Sequence, residues 1–180
     1  MQKELTGLIP AVISPLGQDG SLDNSLLKKQ TEYLSRAGAN GFFVAGTTGE
    51  GAFLSRDEKR LAFKTIKEVS EARQFLCLAC IQPSTEQVIA EMRELDDLSP
   101  DYIVAVTPYY GMADQEAIYN HFMQIADASQ SPLILYSIPP CTHNVIELPT
   151  INRLSAHPNS IGIKDSTGDF MGFSRSILAR

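Results

Sequence analysis

Short apolar runs alternate along the chain with longer amphipathic stretches. "GLIPAVIS", "GFFVAG", "FLCLACI", "DYIVAVTP", "PLILYSIP" and "SIGIKD" are rich in Val, Ile, Leu and aromatic residues and too short for helices, so all six are predicted strands. Between them apolar positions recur at helical spacing over residues 23–37, 55–72, 84–97 and 114–128, with a short helix near 148–156 and another starting near 169. Two of these starts carry a cap. Ser55 with Glu58 in "SRDE", and Ser84 with Gln87 in "STEQ", fit the capping box, in which a hydroxyl and a longer polar side chain satisfy the first unpaired amides.

The strands return roughly every 30 residues, the length of a strand plus a crossover helix. Several are apolar on both faces, as a parallel sheet covered by helices requires. The pattern is six βα units in series. Periodicity alone leaves a doubly wound sheet and a (β/α)8 barrel both open. The polar clusters favour the barrel. "GTTGE" follows the second run, "QPST" the third, "TPYY" the fourth and "SIPPCTH" the fifth, and Lys164 ends the sixth. Every unusual cluster therefore falls at the carboxyl end of a strand, where a parallel barrel gathers its catalytic groups into one mouth.

Composition narrows the function classes. With 180 residues, 43% hydrophobic and 20% charged, the chain has the profile of a soluble protein with one core, and a single domain over residues 1–180 is expected. The formal net charge of -6 and the scattered Lys and Arg argue against nucleic acid or an anionic membrane as partner. The N-terminal apolar run is interrupted by Pro10 and Pro15 and falls far short of a membrane span, so it reads as a first strand. Cys77, Cys80 and Cys141 make an odd count without framework spacing, as in the reduced thiols of a cytoplasmic protein. "CLAC" matches C-x-x-C but lies inside an apolar run, and it reads as two core thiols rather than a redox or zinc pair.

Three positions point to chemistry. Lys164 closes an apolar strand, where an ammonium is expensive to desolvate, so it either snorkels to water or is kept there for reaction. An amine attacks a carbonyl only when neutral, and burial favours the neutral form. Tyr136 ends the strand one βα unit earlier, which in a barrel is the neighbouring stave; its phenol can donate and accept through one oxygen, or be a core aromatic with a satisfied hydroxyl. Gly46 and Gly49 bracket Thr47 and Thr48 in a turn that can hold a small carboxylate through amides and hydroxyls, or serve as a plain connection. A nucleotide P-loop is excluded, because Ala52 and Phe53 stand where Lys and Ser or Thr are needed.

"GTTGE" at 46–50, "TPYY" at 107–110, "YSIP" at 136–139 and "GIKDSTGD" at 162–169, in this order and spacing, resemble the pyruvate-dependent class I aldolases. That family includes dihydrodipicolinate synthase, N-acetylneuraminate lyase and the 2-keto-3-deoxy sugar-acid aldolases. The resemblance covers the chain from about residue 5. It implies a (β/α)8 TIM barrel, of which this chain holds about the first six βα units, with pyruvate and an aldehyde or 2-keto acid as substrates and no metal or organic cofactor. It further implies that Lys164 forms the Schiff base and that Tyr136 relays protons. Thr47 and Thr48, with Gly46, would bind the pyruvate carboxylate, Thr47 also joining the relay. Tyr110 would cross a dimer interface to complete a partner's relay, so a homo-oligomer, dimer or tetramer, is expected.

The chain departs from the family pattern in two ways. Cys141 stands where dihydrodipicolinate synthases carry an arginine that pairs with the carboxylate of the aldehyde substrate, and a thiol cannot replace a bidentate guanidinium. His143 stands where a small residue is usual, and it either reads a substrate hydroxyl or is solvated. Ser166 occupies a position at which sugar-acid lyases place a hydroxyl facing substrate. The expected partner is therefore a 2-keto-3-deoxy sugar acid or related 2-keto acid, with 4-hydroxy-tetrahydrodipicolinate synthase activity as the alternative. The second departure is length. A barrel cannot close with six strands of eight, so the 180 residues are expected to be part of a longer chain; a non-catalytic, truncated 2-keto-acid-binding relative is the other reading.

Overall fold

The computed structural model describes residues 5–178. Two compact units emerge, one holding the chain up to Ile81 together with Arg93–Ile103, the other holding Gln82–Met92 and the chain from Val104 onward. In each unit, strands that follow one another in the chain lie side by side and parallel, as in successive βα units.

In the first unit β1 (Gly41–Val44) pairs in parallel with β2 (Phe75–Cys80), with Phe43 opposite Cys77. Every residue of both strands is buried, which places Cys77 and Cys80 in the core as read from their apolar run. The predicted first strand, "GLIPAVIS", is reduced to a single parallel bridge at Ala11, where Phe43 N–H donates to Pro10 O and Val12 N–H donates to Phe43 O, each at 3.0 Å. Pro10 and Pro15 lack the amide hydrogen that a longer ladder needs. Helix α1 (Asn24–Arg36) is capped by Asp23, and α2 (Arg56–Val69) opens with both arms of the predicted capping box between Ser55 and Glu58. The hydrogen bonds from Ser55 hold the Glu58 carboxyl below its ordinary pKa.

The second unit contains α3 (Thr85–Glu94) as far as Met92, the end of β3 (Tyr102–Val106), α4 (Gln115–Ala128) and β4 (Leu133–Ser137). It continues with α5 (Pro139–Thr142), α6 (Leu148–Leu154), β5 (Ser160–Asp165) and α7 (Phe170–Leu178). Ser84 caps α3 with one long bond, accepting from Gln87 N–H at 3.4 Å. The segment read as the loop "SIPPCTH" contains α5, because Pro139 and Pro140 fit the first helical positions, where no amide hydrogen is used. Ile118, Phe122 and Ile125 of α4 are fully buried, and His121 beside them ties the helix to the end of β3. The helix predicted from residue 169 is α7; Ala179 and Arg180 lie outside the described residues.

The strand carrying Lys164 differs from the other four. The run read as buried is only partly covered in β5, and Ile161 is 38% exposed. Among the described residues the strand neighbour of β5 is β4.

Candidate active site

Parallel pairing of β4 with β5 puts Tyr136 directly opposite Lys164. The register reaches this match through an irregularity: Leu133 faces Ser160 but Ile134 faces Gly162, so Ile161 is passed over. A regular ladder from Leu133 would have set Lys164 against Ser137 and turned it to the other face, because side chains alternate along a strand. The bulge therefore keeps the lysine beside the tyrosine, and Gly162 within the run is the sequence signal for it. Leu135 and Ile163 line a groove of about 550 Å³ with Ile151 of α6 and Ser176 of α7, so Tyr136 and Lys164 project from the opposite face.

Lys164 Nζ lies 3.8 Å from the centroid of the Tyr136 ring. Tyr136 is 2% exposed, whereas Lys164 is half-buried. The amine is thus held by an aromatic face at the border of the core rather than enclosed in the apolar strand expected for it. Beyond it the chain turns sharply. Ser166 N–H donates to Ser137 O at 2.8 Å, and the Asp165 carboxylate accepts from Thr167 N–H at 2.8 Å and from its hydroxyl at 2.6 Å. Ser166 is thereby anchored to the end of β4, one residue past Tyr136.

Two loops follow β3 and β4. After β3, Tyr109 is half-buried and Tyr110 fully exposed, so the tyrosines do not form an exposed pair. Burial, with the Glu91 carboxylate as a smaller cause, pushes the Tyr109 phenol above its ordinary pKa. Tyr110 has φ of +78°, a left-handed conformation that is uncommon for a side chain of this size. After β4, Cys141 is exposed on α5, and His143, also exposed, ends that helix in a left-handed conformation, donating its N–H to Pro139 O at 2.8 Å. Sequence reasoning missed the buried polar group beneath these loops. The Thr107 hydroxyl donates to Thr142 Oγ1 at 2.8 Å, and the Asn144 side chain is 3% exposed. In the sequence these three are ordinary polar loop residues, and only their nearness to strand ends marks them.

The "GTTGE" turn belongs to the other unit. Gly46 and Gly49 are buried, and Thr47 and Thr48 are exposed. Gly51 N–H donates to Gly46 O and Glu50 N–H to Thr47 O, both at 3.0 Å, so the backbone bonds close the turn around Thr47 and Thr48. Ala45 and Glu50, at its two ends, both have φ of +54°. A Cβ on Gly49 would stand 2.6 Å from Val12 O, and one on Gly51 would overlap the Ala45 carbonyl, so the tight winding requires these glycines.

The model of the dihydrodipicolinate synthetase family matches residues 4–178. A 4-hydroxy-tetrahydrodipicolinate synthase of Acidiphilium cryptum is 33% identical over 163 residues, covering 91% of this chain and 56% of the relative. A DapA-like lyase of Thermococcus kodakarensis is 34% identical over 97% of this chain and 59% of its own length. Among solved structures, a dihydrodipicolinate synthase of Acinetobacter baumannii complexed with pyruvate superposes with a TM-score of 0.93 at 36% identity, covering 98% of this chain and 60% of that one. The α/β fold with a parallel sheet is thus that of the family's TIM barrels, over about 60% of their length. Among the described residues, no helix is long and apolar enough to cross a membrane.

Proposed function

Because this chain belongs to the dihydrodipicolinate synthetase family, we propose that it carries the nucleophile of a class I aldolase or lyase that joins or splits pyruvate and an aldehyde. The observation that carries this reading is the register of β4 and β5, with Lys164 Nζ 3.8 Å from the ring centre of Tyr136. In the proposed course the Lys164 amine attacks the keto carbon of pyruvate, and water leaves to give an iminium. The iminium withdraws electrons from the neighbouring methyl, which loses a proton to become an enamine nucleophile; in the cleavage direction it accepts the electrons of the broken bond. The Tyr136 phenol moves the protons of these steps. Thr47 and Thr48, at the turn headed by Gly46, hold the pyruvate carboxylate, with Thr47 also in the relay. Tyr110 completes the relay of a second copy in a homo-oligomer, for which its fully exposed ring is suited. No metal or organic cofactor enters, and the enzyme works in the cytoplasm.

The substrate reading rests on Cys141. An exposed thiol offers no bidentate clamp for the carboxylate of aspartate semialdehyde, whereas Cys141, His143 and Ser166 can meet a neutral polyhydroxy chain. The proposed substrate is a 2-keto-3-deoxy sugar acid or a related 2-keto acid. A second reading, 4-hydroxy-tetrahydrodipicolinate synthase activity, is favoured by the name of the Acidiphilium cryptum relative. The two separate in one assay, which compares pyruvate release from 2-keto-3-deoxy sugar acids with condensation of pyruvate and aspartate semialdehyde. Faster turnover of the sugar acids is expected, and faster condensation would overturn the substrate reading. Turnover of neither, without pyruvate binding, would contradict the enzymatic reading; pyruvate binding alone would point to a 2-keto-acid-binding relative.

A further inference from the structure

Asn144 is nearly excluded from solvent, yet its side chain reaches across more than thirty residues of sequence to the loop that carries Tyr110. Its Oδ1 accepts from Ala113 N–H at 3.0 Å. Its Nδ2 donates to Pro108 O at 2.8 Å, Gly111 O at 3.1 Å and Thr142 O at 3.2 Å. The amide therefore grips the Tyr110 loop on both sides of the tyrosine, two residues before it and one and three residues after it. The backbone of Asn144 is itself fixed, because its carbonyl accepts at 3.2 Å from the Thr142 hydroxyl, which in turn accepts from Thr107.

Tyr110 needs such a grip. Its φ of +78° is unfavourable for an aromatic residue, and its ring, fully exposed on the single chain, gains no packing within that chain that would repay the strain. A strained conformation persists only where the surroundings over-determine it, and around Tyr110 the carbonyls and the amide held by Asn144 do so. Carbonyl oxygens can only accept, so a group with two N–H donors and an acceptor on one planar head satisfies this loop, and neither a carboxylate nor an aliphatic side chain can.

We propose that Asn144 is a positioning residue that holds the Tyr110 loop in its strained, outward-facing conformation and acts on turnover through Tyr110. The effect on turnover rests on the Schiff-base reading above; the effect on the loop does not. The test is a double-mutant cycle on the full chain with wild type, Asn144→Ala, Tyr110→Phe and the double variant, read as the rate of borohydride-trapped pyruvate at Lys164 against pyruvate concentration. Asn144→Ala and Tyr110→Phe are each expected to lower the maximal rate about tenfold or more, with half-saturation changed less than about twofold. The double variant is expected to be no slower than the slower single one. Losses that multiply, or an Asn144→Ala rate within about twofold of wild type, overturn the proposal. Asn144→Ser replaces Asn144→Ala if the latter does not fold. Amide exchange at Ala113 gives the second readout: faster exchange confined to residues 109–113 in the Asn144 variant supports the proposal, and unchanged exchange overturns it. If wild type traps no pyruvate, the Schiff-base reading fails, and the exchange measurement still decides what Asn144 does to the loop.

Discussion

Acidification should weaken the fold through His121, and the size of the loss follows from its surroundings. The imidazole is 2% exposed, and Nε2 lies 3.0 Å from Val106 O while Nδ1 lies 2.9 Å from the Thr85 hydroxyl. A carbonyl only accepts, so Nε2 carries the hydrogen and Nδ1 accepts from Thr85; the ring is fully bonded when neutral. Burial pushes its pKa down from 6.5 to about 4, against a smaller opposing effect of the Val106 carbonyl. With the folded pKa below the unfolded one, the unfolded chain takes up the proton first, so stability is intact above about pH 6.5 and falls as the pH drops toward 4. Linkage with these two values gives a loss of about 2 kcal/mol between pH 7 and pH 5. The assay is urea unfolding at several pH values for wild type and His121→Gln, whose amide can donate to Val106 but does not titrate in this window. The carboxylates titrate in both proteins and cancel in the comparison. A wild-type loss no greater than that of His121→Gln over this interval would refute the assignment of a buried neutral imidazole.

Tyr136→Phe is expected to keep the fold, since the ring and its contact with Lys164 remain, and to lower turnover about 100-fold or more, as for loss of a general acid–base group; circular dichroism with steady-state kinetics checks it, and a variant within a few-fold of wild type returns Tyr136 to a packing role. Cys141→Arg should raise turnover of aspartate semialdehyde relative to neutral polyhydroxy aldehydes, because it installs a bidentate partner for a carboxylate on an exposed face of α5. An unchanged substrate ratio would contradict a role for this position in reading the aldehyde.

Hydrophobic patterning alone located five of the six strands and all of the longer helices, because each buries an apolar stripe whose period is visible in one dimension. It overestimated the first strand, where Pro10 and Pro15 remove donors that periodicity does not count. It missed α5, since "SIPPCTH" is too short to show a helical period. At the site, the pairing of Tyr136 with Lys164 follows from their places at successive strand ends, but the bulge that secures it depends on a one-residue slip between strands. The half-buried state of Lys164 was not legible, because composition reports what a strand contains and not what packs on it. Asn144 was illegible for a related reason: its hydrogen bonds join segments more than thirty residues apart, and nothing local distinguishes it from a solvated loop amide.

The most direct test of the central claim is reductive trapping. The protein is incubated with pyruvate and borohydride, digested, and its peptides weighed, with Lys164→Ala treated in parallel. A Schiff base on this lysine predicts the mass of one reduced pyruvate adduct on the peptide containing Lys164, dependent on pyruvate and absent from a folded Lys164→Ala variant. An adduct on another lysine, or none on a folded wild-type chain, would contradict the account.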